Sequence, residues 1–267
     1  MSEPTTYLDR ILAAKRSLLA TGRHQGGNWT EAQLDAELAA LPPCRDFAAA
    51  LRQAVRPRVI AEFKRASPSL GPIRQGADAA AICSDYVRAG AVAVSVLADS
   101  HFDGSLEDVR QVSAAVSVPV LCKDFILDRR QILDARRAGA DAVLLIVAAL
   151  PAPSLRPLVE FAHRVGLAVL CEAHDPHEVD RALAAGARII GGNARDLRTF
   201  AVDLQRAIAL RKLVPPAFSY VAESGVHGPE QLQQLVDAGV DATLVGSALM
   251  SAEDPGAALA SWLAAVR

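Results

Sequence analysis

The chain has 267 residues, of which 51% are hydrophobic and 22% are charged, and its formal net charge is −2. This length and composition suit one large domain with a single sizeable core. The balanced charge, without a basic stripe, argues against nucleic acid as a partner. No apolar run approaches the ~18 residues of a membrane span, and the N-terminus lacks the regions of a signal peptide. We therefore expect a cytoplasmic protein that does not contact a membrane.

The first 55 or so residues predict a helical extension of that single domain, which we take to span residues 1–267. Tyr7–Thr21 and Thr30–Ala40 each have the pattern of an amphipathic helix, and Gly26-Gly27 indicates a turn between them. We expect this extension, residues 1–55, to pack on the rest of the domain. Covering one end of the domain and lining its active-site mouth are both compatible with the sequence.

From Val59 onward, short apolar runs alternate with longer amphipathic stretches. The short runs are rich in Val, Ile and Leu with little polar alternation, which is typical of parallel strands buried on both faces. The predicted strands are Val59–Phe63, Ala93–Leu97, Pro119–Cys122, Ala142–Val147, Ala168–Cys171, Arg188–Gly191, Ser219–Ala222 and Thr243–Val245. Predicted helices between them include Asp78–Ala89, Leu106–Ala115, Asp128–Ala138, Ser154–Val165, Pro176–Ala185 and Pro229–Ala238.

Four of these helices end in a similar short sequence motif, in which Gly90, Gly139, Gly186 or Gly239 follows the last apolar turn. Glycine can take the left-handed conformation that ends a helix. The repeated order of strand, helix and glycine is typical of βα units. Eight units without a long linker, and no GxGxxG after the first strand, favour one α/β fold: a closed (β/α)₈ TIM barrel with an N-terminal helical extension.

Ionisable side chains gather where the predicted strands end. Glu62 and Lys64 lie at the end of the first strand, and Lys123 follows the third. Glu172 follows the fifth strand and Glu223 the seventh. In TIM-barrel enzymes the C-terminal strand ends carry the chemistry, and burying a charge is costly. Five such groups at one mouth therefore predict a catalytic site rather than separate structural ion pairs.

Other polar residues at the same strand ends predict a phosphate site. Asn193 and Arg195 follow the sixth strand. Ser224-Gly225 follows the seventh strand and Gly246-Ser247 follows the eighth, where many barrels bind phosphate through backbone N–H groups. We therefore expect a small phosphorylated molecule as the substrate.

The cysteine and histidine spacings do not favour a metal site. The cysteines are Cys44, Cys83, Cys122 and Cys171. They are widely spaced without a CxxC pair, which predicts free thiols. His174 and His177 form an HxxH pair, but Asp175-Pro176 between them is typical of a helix start with Asp175 as the N-cap. We expect no metal ion.

Several motifs follow one another in order along the chain: IAEFKRASPS (60–69), PVLCKDFI (119–126), GADAVLLI (139–146), NARDL (193–197), ESGV (223–226) and LVGSALM (244–250). With these motifs, and with its helical extension, the chain resembles the indole-3-glycerol phosphate synthase family of tryptophan biosynthesis. The resemblance implies a carboxy-lyase that converts 1-(2-carboxyphenylamino)-1-deoxyribulose 5-phosphate to indole-3-glycerol phosphate, with loss of CO₂ and water. It implies no cofactor. We expect a monomer or a weak homo-oligomer.

The resemblance also implies a role for each matching residue. Lys123 would be the general acid, Glu172 the general base, and Lys64 the cation that holds the substrate carboxylate and donates a proton in the dehydration. The residues implied to orient these groups are Glu62, Asn193 and Glu223. The implied phosphate contacts are Ser67, Ser224, Gly225, Gly246 and Ser247, and the further substrate contacts are Arg195, Phe125 and Leu197.

The chain departs from the family pattern at Leu70, Ala98, Gly192 and Ala194, none of which is an implied catalytic group. These departures leave open a paralogue that acts on a modified aromatic analogue in a specialised pathway. Two rival enzymes are phosphoribosylanthranilate isomerase, whose Cys/Asp pair is not found here, and a Schiff-base aldolase that uses Lys123. A non-catalytic phosphate-binding barrel is a rival of a different class. Loss of Lys123 or Glu172 would favour this rival, and both residues are present.

Overall fold

The computed structural model describes residues 6–21, 29–54, 56–68, 70–196 and 199–266, so the predicted turn at Gly26-Gly27 lies outside the described residues. The barrel strands are β1 (Val59–Phe63), β2 (Ala93–Leu97), β3 (Val120–Lys123), β4 (Ala142–Ile146), β5 (Ala168–Ala173), β6 (Ile189–Asn193), β7 (Ser219–Glu223) and β8 (Ala242–Val245). The helices are α1 (Tyr7–Ala20), α2 (Glu31–Ala40), α3 (Phe47–Ala50), α4 (Ala79–Ala89), α5 (Leu106–Ala115), α6 (Arg129–Arg137), α7 (Ala152–Arg164), α8 (Pro176–Ala184), α9 (Leu204–Arg211), α10 (Pro229–Asp237), α11 (Ser247–Met250) and α12 (Pro255–Ala265).

The strands form a closed parallel barrel, which confirms the predicted fold class. Each strand pairs with the next one in the chain, and β1 closes the ring by pairing with β8 through Val59 opposite Thr243. After strand β1 the chain makes a short antiparallel hairpin, in which Ala66–Ser67 pairs with Gly71–Pro72 before α4 begins. The helix stops are also confirmed, because Gly90, Gly139, Gly186 and Gly239 all have positive φ angles.

The alternation of the strands determines which side chains point into the barrel. Ile60, Leu121 and Leu170 belong to the inner apolar cluster, which differs from the larger cluster between the strands and the surrounding helices. Because successive strand residues point to opposite faces, the residue two positions further along each strand also points inward. Those residues are Glu62, Lys123 and Glu172. The sequence register that fills the barrel with apolar side chains therefore also directs the charged ones into its upper layer.

Four of the predicted strands end one or two residues too early. Lys123, Glu172, Asn193 and Glu223 are expected just after their strands, but they are strand residues with neighbours in register. Sequence periodicity ends a strand where polar residues begin. Here the polar residues continue the strands, because their side chains pair with one another inside the mouth.

The N-terminal extension contacts residues near both ends of the barrel. Lys15 of α1 lies 3.0 Å from Asp99 and 2.6 Å from Asp124, in the loops that follow β2 and β3 at the mouth. At the opposite end, Phe47 of α3 joins the inner cluster around Ile60. Helix α2 lies along the side of the barrel, with ion pairs to α6 and α7.

The structure also bears on the predictions about membrane spans and free thiols. Among the helices in the described ranges between residues 6 and 266, none is long and apolar enough to cross a membrane. All four cysteines are free thiols, and Cys83, Cys122 and Cys171 are buried. Burial raises the pKa of the Cys171 thiol to about 12, so this thiol stays protonated.

Candidate active site

A polar cleft opens at the C-terminal mouth of the barrel and has two lobes. One lobe, of about 550 Å³, is lined by the loops after β7 and β8. The other, of about 650 Å³, extends over β3 and β4 and is lined by both apolar and charged side chains. Glu62, Lys64 and Lys123 line both lobes. The charged residues therefore lie where the two lobes meet.

Two lysines and two glutamates form a continuous ion-pair network at this junction. Lys123 Nζ lies 3.0 Å from Glu223 Oε2 and 3.2 Å from Glu62 Oε2. The other oxygen of Glu62 lies 2.6 Å from Lys64 Nζ. Glu62 therefore bridges the two lysines and fixes the separation of their ammonium groups.

The network sets the protonation states of its members. Burial alone would raise the pKa of Glu62, but Lys123 and Lys64 lower it to about 2. Burial would lower the pKa of Lys123, and the attraction of Glu62, Glu223 and Glu172 raises it above its usual range instead. Both groups are thus charged at neutral pH.

Glu223 differs from Glu62 although both touch Lys123. Burial raises the pKa of Glu223 to about 7 against the attraction of Lys123, and repulsion from Glu172 adds to the rise. Its Oε1 is fully buried and has no hydrogen-bond partner among the described residues. A Cβ on Gly191 would lie 2.3 Å from that oxygen, so only glycine at position 191 leaves room for the carboxyl group.

Glu172 is held from two sides on the opposite wall of the mouth. Asn193 Nδ2 donates a 3.0 Å hydrogen bond to Glu172 Oε1, and the side-chain oxygen Oδ1 of Asn193 accepts one from the backbone N–H of Arg195. His174 Nε2 lies 3.2 Å from the same Oε1. The sequence interpretation missed His174, because it treated the residue only as part of an HxxH pair. His174 lies two residues after Glu172 and directly after the end of β5, close enough to the mouth for its ring to reach Glu172.

The lobe after β7 and β8 combines left-handed backbone with a helix start. Ser224 has a φ of 66° and Gly225 one of 83°. Helix α11 begins at Ser247, and the amide groups of a helix's first turn have no acceptor within the helix. A Cβ on Gly246 would lie 2.2 Å from Glu62 Oε1, so this glycine allows the loop to approach the charged network. Ser67 lines both lobes.

The other lobe, called the aromatic lobe below, contains two phenylalanine rings beside its charged lining residues. Phe125 lines it together with side chains that sequence reasoning did not single out: Leu97, Phe102, Leu144 and Ile146. The Phe102 and Phe125 rings are stacked with centroids 6.3 Å apart, and the Phe102 ring also contacts Tyr7 of α1. Leu144 and Ile146 alternate inward on β4, but this strand is apolar throughout, so periodicity does not distinguish them from ordinary core residues.

The structure brings the predicted site residues together at one mouth, with one exception. Leu197 lies outside the described residues. Asp175 is the N-cap of α8, as predicted. Within the described chain, no group of three or more His, Cys, Asp or Glu side chains is arranged to hold a metal ion. The departure at Gly192 has a packing reason, since a Cβ there would lie 1.7 Å from the Tyr220 hydroxyl oxygen.

The family model for indole-3-glycerol phosphate synthase matches residues 8–261. The chain belongs to the indole-3-glycerol phosphate synthase family. It is 47% identical over 249 residues to the indole-3-glycerol phosphate synthase of Parafrankia sp. (strain EAN1pec), covering 93% of this chain and 91% of that protein. The enzyme of the same name from Koribacter versatilis is 50% identical over 202 residues, covering 75% of this chain and 78% of that protein. The resemblance drawn from the sequence motifs is confirmed.

The chain is also similar in fold to solved structures of low sequence identity. Thiamine phosphate pyrophosphorylase from Pyrococcus furiosus is 18% identical with a TM-score of 0.58, and the match covers 78% of this chain and 93% of that one. At this identity the similarity concerns the barrel alone.

Proposed function

We propose that the protein catalyses the ring closure of 1-(2-carboxyphenylamino)-1-deoxyribulose 5-phosphate to indole-3-glycerol phosphate, releasing CO₂ and water. The observation that carries this proposal is the two-lobed cleft with paired lysines at its junction. The substrate has a phosphate at one end, an aromatic carboxylate at the other, and the reacting carbonyl between them. Its three parts match the loop lobe, the aromatic lobe and the lysine network.

The loop lobe is proposed to bind the phosphate. Backbone amides at the start of α11 and in the left-handed turn at Ser224-Gly225 can donate to phosphate oxygens, and the Ser67 and Ser247 hydroxyls add donors. Arg195 lines both lobes and contributes a positive charge near the same oxygens. Binding this non-reacting end orients the carbonyl for attack.

Lys123 is proposed to act as the general acid. As the ring carbon that bears the carboxylate attacks the ketone, the carbonyl oxygen becomes an alkoxide and needs a proton. The Lys123 ammonium group is charged and is held in place by Glu62 and Glu223, so its proton is available at the junction of the two lobes. Glu62 also holds Lys64, which is proposed to bind the substrate carboxylate until it leaves as CO₂ and to protonate the departing hydroxyl.

Glu172 is proposed to act as the general base. Loss of CO₂ restores the benzene ring, and loss of water then forms the double bond of the new five-membered ring. That dehydration also removes one proton from the five-membered ring, and a carboxylate at the wall of the mouth can accept it. Asn193 holds one oxygen of Glu172, which leaves the other to face the cleft. Phe125, and Leu197 by its family motif, are proposed to contact the aromatic ring. None of these steps requires a cofactor or a metal ion from the protein.

The wider biological setting belongs to the same proposal. We propose a protein of the cytoplasm whose partner is this phosphorylated small molecule, acting as a monomer or a weak homo-oligomer. We also propose that residues 1–267 form a single domain, with residues 1–55 as its helical extension.

The proposal is tested by incubating the protein with the carboxyphenylamino-deoxyribulose phosphate. We expect indole fluorescence to rise while CO₂ is released in a 1:1 ratio to product, with no change when a chelator is added. A folded protein that binds the substrate without releasing CO₂ would contradict it and would favour a non-catalytic barrel. Trapping of Lys123 by borohydride would instead indicate a Schiff-base aldolase.

A further inference from the structure

We propose that His174 is a positioning residue, a fixed cation that keeps Glu172 ionised and directs one of its oxygens toward the substrate. This inference rests on the proposed role of Glu172 as the general base. His174 comes directly after β5, two residues beyond Glu172, and it lies outside the charged network of the two lysines.

The contacts of the imidazole ring fix its charge. Nε2 lies 3.2 Å from Glu172 Oε1, and Nδ1 lies 3.0 Å from Glu178 Oε2. A neutral imidazole has a lone pair on one of its two nitrogens, and that lone pair would face a carboxylate. The Nδ1 contact to Glu178 has hydrogen-bond geometry, whereas the Nε2 contact to Glu172 is a close ion-pair contact without hydrogen-bond alignment. A ring placed between two carboxylates in this way is stabilised as an imidazolium. Burial alone would lower the pKa of His174, but the two carboxylates raise it to about 10.

The carboxylate behind the ring is itself fixed by the start of α8. Glu178 lies in the first turn of that helix, where its backbone N–H donates to the N-cap Asp175 at 2.8 Å. The backbone N–H of His174 donates to Glu178 Oε2 at 2.7 Å. A negative charge is favoured at a helix N-terminus. Glu178 is thus anchored by the fold and in turn orients the ring.

The effect of this arrangement falls on a single oxygen of Glu172. Both His174 Nε2 and Asn193 Nδ2 approach Oε1, whereas no described residue donates a hydrogen bond to Oε2. Glu172 lines the aromatic lobe, so Oε2 is the oxygen left for a proton from the substrate. Burial alone would raise the pKa of Glu172, but His174, Lys123 and Asn193 lower it to about 2.

The charged groups around Glu172 show why the imidazolium matters. Lys123 from β3 attracts its carboxylate, and Asn193 from β6 donates to it. Glu223 from β7 repels it. Without the imidazolium, Lys123 and the Asn193 amide would have to offset the burial of Glu172, while Lys123 also pairs with Glu62 and Glu223. We therefore expect Glu172 to take up a proton at a higher pH when His174 is neutralised.

The first test is the pH profile of kcat/KM for His174→Gln. Because the pKa of Glu172 is lowered in the protein, activity from the ionised base is lost as the pH falls through that pKa. If His174→Gln raises the pKa of Glu172, this acid limb moves to higher pH. We expect a move of at least about one pH unit, which lowers kcat/KM at least about tenfold at a pH on the limb. We expect kcat to carry the loss more than KM. His177→Gln, three residues away on the exposed face of α8, is the matched control and should keep the wild-type profile.

The second test observes the ring directly and does not depend on activity. In protein labelled with ¹⁵N at histidine, the His174 resonances, assigned by their absence in His174→Gln, should show an imidazolium at pH 8. In Glu178→Gln the same ring should lose its proton at lower pH, because one of its two carboxylates is gone. A neutral His174 at pH 8 in the wild type would overturn the inference.

A third variant separates this inference from the proposed function. Glu172→Gln should lose turnover by at least ~10²-fold, the scale of general acid–base catalysis. If it does, and the acid limb of a folded His174→Gln protein stays at its wild-type pH, the positioning role is wrong and the role of Glu172 stands. If Glu172→Gln turns over normally, the proposed base is wrong and the inference fails with it.

Discussion

The two ends of the barrel bury charges in opposite ways. At the N-terminal end, Asp141 accepts hydrogen bonds from the Arg45 backbone N–H at 2.6 Å, from Arg45 Nε at 2.8 Å and from the Val120 backbone N–H at 2.8 Å. At the C-terminal mouth, Lys123 is shared between two carboxylates, and Glu223 Oε1 has no partner in the described part of the chain.

The difference separates a structural ion pair from a reactive one. A buried charge whose hydrogen bonds are all made within the fold adds rigidity and has nothing left to offer a ligand. A buried charge that is shared or incompletely paired costs stability but can be paired again by a substrate. We therefore predict that substitutions at the mouth change the chemistry more than the stability, and that the reverse holds at the base.

The largest effect is expected for Lys123→Ala. Removing the proposed acid should lower kcat by at least ~10²-fold, because no other described side chain lies between Glu62 and Glu223 to donate the proton. Steady-state kinetics with product fluorescence measures this. Circular dichroism should show that the variant is folded. Near-normal turnover in the folded variant would contradict the role of Lys123 as the general acid.

A smaller effect is expected for Gly246→Ala. The added Cβ would lie 2.2 Å from Glu62 Oε1 and 2.9 Å from Lys64 Nζ, so the loop must withdraw from the proposed phosphate position. Weakened contacts to a charged group should raise KM roughly tenfold or more and weaken competitive inhibition by inorganic phosphate. Gly228→Ala is the control, because a Cβ there meets nothing closer than 3.7 Å. Unchanged phosphate inhibition in Gly246→Ala would place the anion elsewhere.

The protonation of Glu223 predicts a pH-dependent effect on stability. Burial raises the pKa of this carboxyl to about 7 from 4.5. Between these values the native state keeps a proton that the unfolded chain releases, so the contribution of Glu223 to stability falls as pH rises through this window and is lost above it. Glu223→Gln does not titrate there.

We therefore expect the free energy of unfolding of Glu223→Gln, relative to wild type, to rise by at least about 1 kcal/mol between pH 5 and pH 8. Urea unfolding at both pH values measures it. Glu230→Gln, at an exposed position in the first turn of α10, provides the baseline. A difference that stays constant with pH would mean that Glu223 is ionised throughout.

The smallest effect is expected at the hairpin after β1. Leu70 is 57% exposed, so more than half of this apolar side chain is open to solvent. We predict that the loop through Ser67 and Pro68 moves without ligand and that Leu70→Lys adds a polar tether near the mouth. An exposed pair is worth up to about 1 kcal/mol, so KM or the rate of product release should fall by at most about fivefold. Stopped-flow fluorescence with product measures the release, and unchanged release and KM would dismiss the tether.

Strand periodicity and glycine stops were enough to predict the barrel, because each βα unit repeats the same local signals. The ionisable members of the site could also be predicted, since charges are rare at inward strand positions. The aromatic lobe was harder, because Leu144 and Ile146 look like ordinary core residues on β4. Their role depends on which layer of the barrel they occupy, and sequence alone does not give that height.

His174 shows a second limit of sequence reasoning. Its importance comes from Glu178, four residues further on, and from the N-terminus of α8 that orients it. Each residue by itself is typical of a helix start. Only the three-dimensional arrangement places the imidazole between two carboxylates, whereas the sequence already placed Lys123 and Glu172 at the mouth.

The most direct test of the contrast is to measure kcat and the urea unfolding free energy of Asp141→Ala beside those of Lys123→Ala. Asp141→Ala should lose about 3 kcal/mol of stability, because Arg45 and the Val120 amide lose their acceptor, while its kcat stays at the wild-type value. Lys123→Ala should lose less stability, since Glu62 keeps Lys64 and Glu223 can take up a proton, while its kcat falls at least ~10²-fold. If folded Asp141→Ala lost kcat to the same extent, or if Lys123→Ala kept its turnover, the division between a structural base and a reactive mouth would be contradicted.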